Sequence, residues 1–252
     1  MYEPSTSCGE VGLILHNIYN EVFGYKETGV FIEVGANDGK TGSFTYNLGR
    51  VGWKGINCEP IPRLHTLCCE NTKQFKNVIN LQTAVGDRET QLDIIDAGTL
   101  STMDVTTLNV YLNTDWSKPN FTRPVKHKVN VQTLDSIITN NLTQEESKNI
   151  DVFVLDVEGF EESVLNGFSI QEYTPKMIII EIADQHESFV NNDKLMKKFS
   201  NLREYFNQNN YELIVNDIVD NVYINKTLIG NNEDLKQKFQ NKIRFPQYQT
   251  TN

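Results

Sequence analysis

The sequence predicts an α/β fold: a doubly wound, mostly parallel sheet closed by a terminal antiparallel hairpin. Three observations carry this. Apolar runs of strand length alternate with segments of helical spacing five times over, the rhythm of right-handed β-α-β crossovers. The first run, Val30, Phe31, Ile32 and Val34, ends in a glycine loop, Gly35 to Gly39, ahead of a helical stretch. Near the end, two short runs at 211–215 and 221–224 flank Asn216-Asp217 as the arms of a hairpin would.

At the N-terminus Ser7-Cys8-Gly9-Glu10 has the S-x-x-E form of a capping box, and Val11, Leu13, Ile14, Ile18 and Val22 follow at helical spacing. After the first strand, a helix is expected over 43–48. A second strand over 52–60 ends on Glu59, and a helix over 62–73 follows. The third strand is expected over 78–85, closed by Gly86-Asp87. Residues 90–95 and 125–133 read as added strands. Between them a stretch of about 98–125 breaks the rhythm and concentrates Tyr111, Trp116 and Phe121 with Pro119 and Pro124. So long a connection inside one domain is commonly a functional lid. Its aromatics suit stacking on a substrate, and equally suit packing the loop to the body.

A short helix is expected over 134–140 and a strand over 150–157. Glu158-Gly159 then turns into a helix carrying Val164 and Leu165, ended near Gly167. A strand over 176–182 and a helix over 194–207, with Leu195, Phe199, Leu202 and Phe206, precede the hairpin. A charged helix near 233–242 and a polar tail at about 243–252 close the chain. No repeat and no domain boundary interrupts it, so residues 1–252 read as one domain.

With 23 Lys plus Arg against 33 Asp plus Glu, the net charge is −10. That argues against a nucleic-acid partner, which wants a basic face. The four cysteines, Cys8, Cys58, Cys68 and Cys69, form no C-x-x-C pair. A reduced, cytoplasmic chain is the simplest expectation. The N-terminus shows no basic region followed by an apolar core, so no signal peptide is expected, and no apolar run is long enough for a membrane span.

In open parallel sheets ligands bind at the carboxyl ends of the strands. Gly35, Glu59, Ala84, Asp156 and Glu181 are expected there. The loop Glu33-Val34-Gly35-Ala36-Asn37-Asp38-Gly39 is E-x-G-x-x-x-G, not the dinucleotide G-x-G-x-x-G, because Asn37 stands two after Gly35. Both glycines are expected to leave room for a ligand against the backbone. Glu59, 26 residues after Glu33, sits where a carboxylate accepts from ribose hydroxyls. A carboxylate inside the loop suits a ligand with a cationic amino group and no pyrophosphate, as in S-adenosylmethionine; NAD fits less well. A bare strand-to-helix turn and a solvated acid are the plainer alternatives.

A second group lies in Leu155-Asp156-Val157-Glu158-Gly159-Phe160-Glu161-Glu162. Asp156 and Glu158 share a face if the strand continues, since alternate residues do. Glu181, Asp184 and His186 approach from the end of the next strand. Asp156, Glu158 or His186 could take the proton of an attacking hydroxyl. Alternatively Asp156, Glu181 and Asp184 could hold Mg²⁺ and acidify that hydroxyl. The plain alternative is that Asp156 and Glu158 cap the following helix.

These pieces, with C-E-P at 58–60, A-V-G-D at 84–87, V-Q-T-L-D at 131–135, L-D-V-E-G-F-E-E-S-V-L-N-G at 155–167 and I-I-I-E-I at 178–182, resemble the FkbM family of S-adenosylmethionine-dependent methyltransferases. The likeness covers roughly residues 7 to 190. It implies a class I, Rossmann-like methyltransferase fold and methyl transfer to oxygen, on a hydroxyl of a sugar, glycan or small natural product. It also implies that Glu33, Gly35, Asn37 and Gly39, with Ser43, cradle the methionine part. Glu59 beside Pro60 would bind the ribose, Ala84 and Val85 would flank the adenine, and Asp156 would border the cofactor. Glu33 stands where many members carry Asp. The insertion matches no family motif. An NAD enzyme and a non-catalytic module binding S-adenosylmethionine or a glycan remain the competing readings.

Overall fold

The computed structural model describes residues 26–216 and 218–229. The capping box at Ser7–Glu10, the helix expected over 11–22, Asp217 of the hairpin turn, and the helix and tail expected beyond 232 lie outside the described residues.

A seven-stranded sheet runs in the order β3-β2-β1-β7-β8-β10-β9. Its strands are β1 (Val30–Val34), β2 (Lys54–Cys58), β3 (Val78–Leu81), β7 (Val152–Leu155), β8 (Met177–Glu181), β9 (Tyr211–Asn216) and β10 (Asp220–Asn225). The first five are parallel; β10 runs antiparallel between β8 and β9, which is the expected hairpin. β1 and β7 are buried along their whole length because both faces are covered, and Glu33 is the one charged residue in them. Alternation divides the core in two. Ile32, Phe153 and Ile178 lie abreast on one face, with Leu195, Phe199, Leu202 and Phe206 of α8 (Asp193–Gln208) in the same cluster. Phe31, Val152 and Met177 lie abreast on the other, clustered with Leu48, Trp53 and Ile214.

The parallel crossovers include α1 (Tyr46–Arg50) and α2 (Pro62–Thr72), which takes Pro62 in its first turn where no N–H is needed. The strand expected over 78–85 divides. β3 ends at Leu81, and β4 (Ala84–Val85) pairs instead with β6 (Val125–Gln132), itself antiparallel to β5 (Thr90–Asp96). Thr83 fixes the break: its hydroxyl donates to Ala84 O and Asn130 O, across to the second sheet.

The stretch expected to be irregular contains α3 (Val105–Asn113). Val105, Thr106, Thr107 and Val110 are β-branched and weaken its helical signal. Asp104 caps it, accepting from Thr107 N at 2.7 Å, and Thr107 and Tyr111 are buried. α4 (Leu134–Asn141) follows as expected. α5 (Gln144–Ser147) and α7 (Ile170–Tyr173) add single turns that periodicity did not reveal, although α5 opens on a capping box of Thr143 and Glu146. α6 (Glu161–Asn166) ends on Gly167 as expected. Among the described residues no helix is long and apolar enough to cross a membrane.

Candidate active site

The sheet order reverses between β1 and β7, and an open cleft lies at their carboxyl ends. It encloses a cavity of about 160 Å³ that opens to solvent at its mouth. Its described lining carries four carboxylates, Glu33, Glu59, Asp156 and Glu158, and no lysine, arginine or histidine.

The loop after β1 places three left-handed residues in five: Gly35 (φ 88), Asn37 (φ 50) and Gly39 (φ 70). The N–H groups of Gly35 and Ala36 both donate to Cys58 O at 3.0 Å, tying the loop to β2. Gly35 lines the cleft, but in the Cβ direction both glycines face protein atoms rather than open space. A Cβ on Gly35 would lie 1.7 Å from Asp156 O, and one on Gly39 would lie 2.5 Å from Cys68 Sγ. The protein itself fills both spaces.

Glu33 is engaged from within. It accepts from Ser43 Oγ at 2.7 Å, Thr45 Oγ1 at 2.6 Å and Phe44 N at 3.2 Å, so it orders the chain leading into α1. Ser43 thus appears on the cleft wall as a partner of Glu33. Glu59 accepts from Asn37 N at 2.9 Å on one oxygen and Ile61 N at 2.8 Å on the other. Each oxygen keeps a second lone pair for a hydroxyl. Pro60, Ala84 and Val85 stand on the wall beside it. Thr83, Ile94, Thr99, Ser101 and Met103 also line the cleft. None carried a chemical signal in sequence, because apolar and small hydroxyl residues look alike on a wall and in a loop.

Oxygens of Asp156, Glu158 and Glu181 lie within 4.8 Å of one another, an arrangement that could hold a metal ion. Their meeting has a different cause from the one expected. β7 stops at Leu155, and Glu158 (φ 54) with Gly159 (φ 95) forms a left-handed turn rather than a continued strand. Neither Asp156 nor Glu158 caps α6; Glu161 holds the turn, accepting from Val157 N at 3.3 Å and Gly159 N at 3.1 Å. From the insertion, Thr102 Oγ1 donates to Glu158 O at 2.6 Å and the Tyr111 phenol donates to Glu158 Oε2.

Two expected members stand elsewhere. Asp184 is gripped by Arg203, whose Nε and Nη2 donate to its two oxygens at 2.5 and 2.8 Å, so the carboxylate trio takes Glu158 in its place. His186 is not on the cleft wall. Its Nδ1 accepts from Ser188 N at 3.2 Å, and its ring packs 5.6 Å from Trp116 and 5.2 Å from Phe189. Those rings in turn pack on Tyr111, whose phenol meets Glu158. Within the insertion Tyr111 is only 2% exposed and Phe121 is buried, so these two pack the segment to the body; Trp116, 46% exposed, faces outward.

Burial sets the electrostatics. It pushes Glu33, Glu59 and Glu161 up to about 7 against the hydrogen bonds that favour their charged forms. It pushes Asp156 up to about 6, opposed by a hydrogen bond with Glu181. Glu158 and Glu181 lie well above the carboxylate range, first from burial and then from the charges beside them. Raised acids bind more protons folded than unfolded, so their contribution to stability is fully present below about pH 4 and is lost as pH rises through 6 and 7. In metal-free buffer without cofactor, the denaturant midpoint is expected to fall steadily from pH 5 to pH 8. A midpoint that is flat or rises over that window would contradict this assignment.

The sequence profile of the methyltransferase FkbM domain matches residues 33–213. A search of curated proteins finds no match. Among solved structures, methyltransferase FkbM from Methylobacillus flagellatus KT is similar at 14% identity and a TM-score of 0.45, over 79% of this chain and 44% of that one. The Methanococcus jannaschii fibrillarin pre-rRNA processing protein is similar at 16% identity and a TM-score of 0.41, over 79% of this chain and 67% of that one. The chain thus spans less than half the length of the first of these structures. The profile match runs over well more than half of the chain, through the glycine loop, Glu59 and the carboxylate trio: this chain belongs to the FkbM methyltransferase family.

Proposed function

We propose that the chain transfers a methyl group from S-adenosylmethionine to a hydroxyl of a sugar or glycan. The observation that carries this reading is a single cleft that joins Glu59 and the glycine loop to Asp156 and Glu158. In this reading Glu59 accepts from the ribose hydroxyls, and Ala84 and Val85 flank the adenine. The loop from Glu33 to Gly39, with Ser43, borders the methionine part. An all-acidic lining favours a sulfonium ligand with an amino group over a pyrophosphate one.

The hydroxyl oxygen attacks the methyl carbon, the carbon–sulfur bond breaks, and its electron pair stays on sulfur as a neutral thioether. The hydroxyl proton must leave. Glu158 is positioned to take it, and burial makes it a stronger base than an ordinary carboxylate. Asp156, Glu158 and Glu181 offer the oxygen ligands a hard divalent cation such as Mg²⁺ prefers, and such an ion would acidify the hydroxyl.

Titration calorimetry with S-adenosylmethionine and NAD, then transfer of labelled methyl groups to a panel of sugars and small natural-product alcohols, tests the reading. NAD binding without S-adenosylmethionine binding would overturn it, and cofactor binding with no transfer would favour a non-catalytic module. Glu59→Ala is expected to weaken S-adenosylmethionine about tenfold or more, since a charge-assisted hydrogen bond contributes about 1.5–3 kcal/mol. Equal dissociation constants for the two proteins would remove Glu59 from the cofactor site.

A further inference from the structure

Glu158 adopts a backbone conformation that side chains other than glycine rarely take, φ 54, beside Gly159 at φ 95. Such a residue persists only where its surroundings hold it. Glu161 ties the turn from α6, through Val157 N and Gly159 N, and its other holders come from the insertion. Thr102, itself buried, donates to the Glu158 carbonyl at 2.6 Å, and Tyr111 donates to the Glu158 side chain. Tyr111 is fixed in turn. Phe121 stacks on its ring at 5.8 Å, the Trp116 and Phe189 rings meet it nearly edge-on at 5.8 and 5.9 Å, and its carbonyl accepts from Ser117 Oγ at 2.7 Å. α3 also lies directly on the turn: a Cβ on Gly159 would come within 2.1 Å of Thr107 Oγ1. Lys198 of α8 pairs with Asp104 at the start of α3 and reaches Gly159 O at 3.4 Å, closing the assembly from behind.

We propose that the 98–125 insertion is a clamp that holds the Glu158 carboxylate at the cleft, with Tyr111 as its positioning residue. The proposal rests on the reading of Glu158 as the group that takes the acceptor's proton. Tyr111 is not among the residues that line the cleft. It occupies one Glu158 oxygen and leaves the other for the hydroxyl. A carboxylate free to rotate would present that oxygen in line with the reaction only part of the time.

Two measurements test this, the first needing no acceptor. Hydrogen exchange on the full chain compares wild type with Tyr111→Phe combined with Thr102→Val. The amides of residues 157–161 are expected to exchange about tenfold faster or more, with β1 and α8 unchanged. Unchanged exchange at 157–161 overturns the clamp, and so does acceleration spread equally through β1 and α8. The second is a double-mutant cycle, read as methyl transfer from S-adenosylmethionine to a panel of methyl hexosides and deoxyhexosides. Tyr111→Phe is expected to lower kcat about tenfold with the KM for S-adenosylmethionine unchanged, and to have no further effect in a Glu158→Gln background. Equal losses in both backgrounds overturn Tyr111 as a positioning residue. A wild-type chain that methylates nothing in the panel counts against the sugar reading, and the exchange measurement still decides the clamp.

Discussion

Asp156→Asn is expected to lower methyl transfer by about 10²–10⁴-fold, the usual scale for losing acid–base assistance, with the fold and most of the cofactor affinity retained. Asparagine keeps the shape of the side chain at the end of β7 and removes its charge. That charge is one of the causes holding Glu158 above the ordinary carboxylate range, so its loss weakens the base next to it. The substitution also replaces one of the three anionic oxygen ligands available to a cation with a weaker, neutral amide oxygen. Either route predicts a large effect at saturating cofactor and acceptor, and the response to EDTA separates them. Activity lost to EDTA and restored by Mg²⁺ assigns the acidification to the metal, whereas indifference assigns it to Glu158 alone. Near-wild-type turnover by Asp156→Asn would take the carboxylate trio out of the mechanism.

Gly35→Ala is expected to cost about 2–5 kcal/mol of stability. Left-handed backbone at a residue with a Cβ costs about 1–2 kcal/mol, and forcing a methyl group into filled space adds about 1–3 kcal/mol. The obstacle is Asp156 O, a backbone atom 1.7 Å from the new carbon, so no rotamer change relieves it. Against a typical total of about 5–15 kcal/mol, the loss is severe. Gly42→Ala supplies the comparison: φ there is 74, but nothing lies within 4 Å of the added carbon, so only the backbone cost applies. Denaturant midpoints for both variants measure the difference. If Gly35→Ala is no more destabilised than Gly42→Ala, the close approach of β1's loop to β7 is not as drawn.

Much of the sheet was legible because β1, β7 and β8 are largely apolar on both faces, and glycine or acidic residues mark their ends. The division of residues 78–85 between two sheets was not legible. Leu81 and Ala84 carry the same apolar signal whichever sheet they join, and the partner that draws β4 away, β6, lies far along the chain. α3 was obscured by its β-branched residues, since its stability comes from the Asp104 cap and buried Tyr111 rather than from propensity. In the site, the placement of residues local to a strand end was legible: Glu33, Glu59 and Asp156 line the cleft, and Glu181 lies beside Asp156. Asp184 and His186 were misplaced because their partners, Arg203 and Trp116, are distant in sequence and invisible to spacing. Tyr111 looked like any loop aromatic until Glu158 was seen beside it.

The strand order has a consequence for how the chain is made. β1 pairs on one edge with β2, which follows almost at once, and on the other with β7, about 120 residues later. At synthesis rates of about 5–20 residues per second, that second edge waits roughly 6–24 s for its partner. Throughout the wait an apolar strand stands with open hydrogen-bonding groups, the template other chains pair with. The cleft cannot exist before β7 arrives, because Asp156 O is what the glycine loop packs against. A small molecule that binds there therefore gives the growing chain no shelter during its most exposed interval, which falls instead to whatever holds nascent chains apart.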